Sequence, residues 1–122
     1  MTAPTLPSAV PRHAAARALL ATWLVTAAWD FVCASALAVL AYASTVARLW
    51  RGVAATALGP RAVEMGAWGV AAGVGLHLVV SLAWSALFVV AAVRWDALRR
   101  ALARPAGALL VAAACGPAIW LA

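Results

Sequence analysis

Apolar residues run almost unbroken through three stretches of this chain, and the polar positions between them mark where it turns. From about residue 18 to 43 it reads ALLATWLVTAAWDFVCASALAVLAYA, roughly 26 residues in which Asp30 is the only charge. About 20 apolar residues suffice to cross ~30 Å of hydrocarbon as a helix, so this is a first span. A second runs from Gly66 to Val93, GAWGVAAGVGLHLVVSLAWSALFVVAAV, with His77 its only titratable group. A third, PAGALLVAAACGPAIWLA over 105–122, is barely long enough to cross, and Gly116-Pro117 should kink it.

The segment between the first two spans has a different pattern. Over 44–58, STVARLWRGVAATAL, residues Val46, Leu49, Trp50, Val53 and Ala57 recur at helical spacing while Arg48, Arg51 and Thr56 fall on the other side. That is an amphipathic helix suited to the headgroup plane, with a re-entrant half-helix as the alternative. Gly59-Pro60 ends it, because proline lacks a backbone donor and disfavours helix at the residue before it. Residues 1–16, with three prolines, small polar residues and His13, read as a disordered tail. The loop RWDALRRALAR joins the second and third spans.

Composition fits this pattern. The 122 residues are 68% apolar and 10% charged, with 36 alanines, nine arginines and no lysine. Twelve charges cannot cover a soluble domain of this size, so the solvent is lipid. The expected fold is all-α: a multi-pass transmembrane protein of three spans and one interfacial amphipathic helix, within a single domain over 17–122. A cleaved signal peptide fits less well, since the first apolar run exceeds the usual 7–15 residues and carries an aspartate. The net charge of +6 comes from arginines scattered among loops, which argues against nucleic acid as a partner. Arg12, Arg17, Arg94, Arg99, Arg100 and Arg104 lie on one side of the membrane, and Arg48, Arg51 and Arg61 on the other. That asymmetry places the N-terminus in the cytoplasm. The arginine-for-lysine bias matches a GC-rich bacterial source, and hence a bacterial inner membrane.

The sequence offers little machinery for catalysis. No nucleophile has a base beside it, no His, Cys and acid set has metal-ligand spacing, and no glycine loop suits a phosphate, so neither enzyme activity nor a metal or cofactor is expected. Bis-histidine haem ligation would need a second intramembrane histidine. Cys33 and Cys115 read as small packed apolar residues. Trp50, Trp68 and Trp95 fall near span boundaries and read as interface anchors, while Trp29 and Trp84 lie deeper and read as packing residues.

Asp30 and His77 stand out. An aspartate at a helix centre costs about 2.5–3.5 kcal/mol on insertion scales and normally finds a partner. Antiparallel spans would bring His77 to its depth. On the second span Gly69, Gly73, His77, Ser81 and Ser85 form a ridge at steps of four; Thr22, Thr26, Asp30, Ala34 and Ala38 do so on the first, and the two ridges are expected to face each other. The pair is either a packing contact that fixes register or a protonatable site. The bilayer is the evident partner, and ridges of small residues invite a homo-oligomer or other membrane subunits.

Trp29-Asp30, then AATALGP over 54–60, then Gly73-x-Gly75-x-His77 and Ala83-Trp84 occur in an order that resembles a family of small, uncharacterised bacterial polytopic inner-membrane proteins. The likeness covers residues 22–93. It implies a typical position for Asp30, Gly59, Pro60, His77 and Trp84, but no substrate or reaction. Members of that family have four spans, so the resemblance implies that this chain lacks the last helix.

Overall fold

The structure, a computed structural model, describes residues 11–121 and the side chains as far as Cys115. Residues 1–10 of the expected tail, and the side chain of Trp120, lie outside that description. The described chain is all helical: α1 (Arg12–Leu40), α2 (Val46–Leu58), a 3₁₀ helix (Pro60–Glu64), α3 (Gly66–Arg94), α4 (Asp96–Leu102) and α5 (Pro105–Leu121), with no strand among the described residues.

Each boundary has a local cause. α1 begins at Arg12, so the helix takes in residues 12–16 that the sequence pattern assigns to the tail. His13-Ala14-Ala15-Ala16 includes strong helix formers, and the carbonyl of extended Pro11 accepts from Ala14 and Ala15. α1 stops at Leu40 because Ala43 turns left-handed (φ 46°) and the Ser44 N–H closes back on the Ala38 carbonyl. Thr45 then caps α2 by accepting from the Arg48 N–H at 3.1 Å. Gly59 at φ 82° ends it, a conformation that suits glycine, and Pro60 opens the 3₁₀ turn. The loop expected over 94–104 is largely helical as well: Asp96 sits in the first turn of α4 and ion-pairs with Arg99 one turn on.

α1 and α3 have 29 residues each, about 43 Å at 1.5 Å per residue, and both are long and apolar enough to cross a membrane. Only 11% and 6% of their most apolar windows are buried by the protein. Leu24, Val25, Leu40, Val79, Leu87, Leu109 and Leu110 face outward. α5 is described over 17 residues, about 26 Å.

The buried core is small and lies where α1, α2 and α3 meet. Ala27 and Ala38 come from α1, Trp50 and Ala54 from α2, Ala62 from the 3₁₀ turn, and Gly69, Gly73 and Ser85 from α3. Helices made of small residues approach closely enough for backbone to meet backbone, which is how α2 seats on α3.

Candidate functional site

His77 is the point on which three helices converge. α1 and α3 run antiparallel, since His77 meets Ala27, the Trp23 indole donates to the Leu78 carbonyl at 3.0 Å, and Thr22 and Thr26 border the same cavity as Ser85. His77 Nε2 lies 3.2 Å from the Ala27 carbonyl oxygen, and Nδ1 lies 3.5 Å from Asp30 Oδ2. Asp30 is about 6 Å from the midpoint of α1 and His77 about 5 Å from that of α3, displaced toward the same end of the bundle. Ser81 Oγ donates to the His77 carbonyl at 2.6 Å, returning its hydroxyl to its own helix.

The surroundings are aromatic on one side and open on the other. Trp50 is only 2% exposed; its ring stacks on Phe31 (4.7 Å, 10°) and tilts against the imidazole of His77 (5.2 Å, 58°). The side chain of His77 is 13% exposed, whereas that of Asp30 is 65% exposed. One side of the carboxyl meets His77 and the rest faces away from the chain.

The contacts constrain the proton. A carbonyl oxygen only accepts, so Nε2 carries a hydrogen and donates to Ala27. Nδ1 then faces Asp30 Oδ2.

The two expected ridges divide instead of facing each other along their length. Gly69 and Gly73 turn toward the 3₁₀ turn and α2: a Cβ on Gly69 would meet the Ala62 carbonyl oxygen, and one on Gly73 the Trp50 carbonyl oxygen. His77 and Ser85 face α1. A row at steps of four drifts about 40° per step, so from residue 69 to 85 it rotates by about 160° and serves two neighbours.

Trp50 is therefore no interface anchor, because its amphipathic helix lays its apolar face on α1 and α3. Trp68 and Trp95 do face outward, at 77% and 65% exposure. Trp29 also points outward, while Trp84 is partly covered and lines the cavities between α3 and α5. Cys33 is exposed on α1, not packed inside, and Cys115 is half-buried beside those cavities. Sequence reasoning missed Phe31, Ala27 and Trp23. The signals for them were present: Phe31 follows Asp30, Ala27 precedes it by one turn, and an indole inside a span needs an acceptor.

Comparison with family models, curated proteins and solved structures returned no match for this chain.

Proposed function

We propose that the chain is a polytopic inner-membrane protein acting as a structural or accessory subunit, with Asp30 on the face of α1 that receives a neighbouring membrane helix. The observation that carries this reading is the uneven cover of the pair: His77 is 13% exposed and Asp30 65%. A largely uncovered carboxyl group near the middle of a span is costly in lipid, by about 2.5–3.5 kcal/mol on insertion scales, and such groups normally face other helices. A second copy of the chain or a different subunit supplies that cover. The reading takes α5 as a third span with the N-terminus cytoplasmic, supported by the arginine distribution. It also keeps the chain among the small bacterial inner-membrane proteins it resembles.

The test compares wild type, Asp30→Asn and Asp30→Leu in native membrane nanodiscs by mass measurement. Assembly retained in wild type and Asn but lost in Leu is expected of a polar contact between helices. Monomers throughout would end the subunit reading.

A second reading, a small proton-coupled carrier, is favoured by the approach of His77 Nδ1 to Asp30 Oδ2 at 3.5 Å inside an apolar span. Asp30→Asn removes the charge while keeping near-isosteric hydrogen bonding. If this variant assembles normally but loses a proton or solute flux that wild type shows in proteoliposomes, the carrier reading replaces the first; absence of flux from wild type at every pH eliminates it.

A further inference from the structure

Four of the nine arginines lie between Arg94 and Arg104, and they are not equivalent. Asp96 is the only acid in this region, and Arg99 takes it, donating also to the Val93 carbonyl at 3.5 Å. Arg100 and Arg104 have no side-chain hydrogen bond or ion pair among the described residues. Both border one cavity of about 670 Å³ between α4 and the start of α5.

The cavity follows from a close crossing. A Cβ on Gly107 would collide with the Ala101 carbonyl oxygen, so α5 starts with its backbone against the end of α4. That contact sets Arg100 and Arg104 around the first turn of α5, and Ala106 and Leu110 continue the wall along an apolar helix. Two guanidiniums and an alkyl wall lining one cavity match an anion that carries its own apolar tail. Guanidinium forks bind phosphate oxygens in pairs, and basic pockets between membrane helices take anionic headgroups.

We propose that the cavity between α4 and α5 binds the phosphodiester headgroup of an anionic phospholipid through Arg100 and Arg104, with an acyl chain along Ala106 and Leu110. Binding at this point would pin the start of α5 at the membrane surface.

The full-length protein in nanodiscs of phosphatidylcholine, with phosphatidylglycerol added stepwise, is followed by native mass spectrometry of the lipids that stay bound. Phosphatidylglycerol retention over phosphatidylcholine is expected, and Arg100→Gln with Arg104→Gln should lower it on the order of tenfold. Arg12→Gln with Arg17→Gln removes the same charge elsewhere and should change retention less than about twofold. Circular dichroism confirms that each variant is folded, and Arg100→Lys with Arg104→Lys substitutes if the glutamine pair does not insert; it should weaken retention while keeping the charge. Equal loss from both glutamine pairs, unchanged retention in the Lys pair when it substitutes, or equal retention of both lipids overturns the proposal. Displacement of the lipid by millimolar inorganic phosphate would identify a free-anion site and overturn the lipid assignment.

Discussion

The carbonyl oxygen of Trp50 occupies the space that a side chain on Gly73 would need. One missing methyl group thus lets α2 dock on α3, and that contact holds the Trp50 ring beside His77. Gly73→Ala cannot be relieved by changing a rotamer, because the obstacle is backbone. It should cost about 3 kcal/mol or more in equilibrium unfolding in mixed micelles. Gly75 lies half a turn away, where an added Cβ would meet nothing within 4 Å. Gly75→Ala should be neutral or stabilising by about 0.5–1 kcal/mol, since alanine is the better helix former. Equal losses at both sites would mean that α2 does not seat on α3.

Trp50 combines the largest fully buried side chain with an indole N–H that has no acceptor among the described residues. Trp50→Ala removes the ring stack with Phe31 and should cost about 3–5 kcal/mol. Trp50→Phe retains an aromatic ring against Phe31 and deletes the orphan donor, whose burial itself costs about 1–3 kcal/mol. The phenylalanine variant should therefore lose less than half as much as the alanine variant in the same unfolding measurement. Comparable losses would show that the indole N–H has a partner in the membrane-embedded protein.

Much of the helical frame was legible in the sequence because lipid imposes a long apolar run on any helix that crosses it. The run over 66–93 became Gly66–Arg94, and the break at Gly59-Pro60 became the end of α2. The start of α1 was less clear, because prolines upstream of residue 12 masked a short alanine-rich turn that propensity favours. Asp30 and His77 could be paired from depth alone, since antiparallel helices of similar length bring central residues together. Which helix covers Gly69 and Gly73 was not legible: small residues state that something comes close, not what. Trp50 misled for a related reason. A tryptophan beside arginines at a span boundary suits a headgroup interface, and only the packing of α2 on α1 and α3 shows it turned inward.

The hydrogen-bond pattern at His77 predicts a specific tautomer. Nε2 lies 3.2 Å from the Ala27 carbonyl oxygen and should carry a hydrogen. Nitrogen-15 spectra of the labelled protein should show a protonated Nε2 in wild type and in Asp30→Leu. The Nδ1 resonance should move between the two, because only wild type places a carboxyl group 3.5 Å away. An unchanged Nδ1 resonance would mean that Asp30 turns from His77 in the bilayer.

Trp68 and Trp95 face outward near opposite ends of α3, separated by 27 residues and so by about 40 Å along the axis. A helix crossing ~30 Å of hydrocarbon with both rings exposed must put each near a headgroup layer, where the indole keeps its N–H wet and its ring in the acyl boundary. Trp29, also exposed but deep within α1, belongs nearer the bilayer centre, and Trp50 is shielded by protein. Fluorotryptophan labelling, with signals assigned by single Trp→Phe replacements, separates these positions in one sample. Paramagnetic lipids carrying the spin label near the headgroup should broaden Trp68 and Trp95 most, and labels near the chain end should broaden Trp29 most. Trp50 should be the least affected by either. If Trp68 and Trp95 respond together to the deep label, α3 lies tilted or shifted within the bilayer, and the placement of Asp30 and His77 near its middle fails with it.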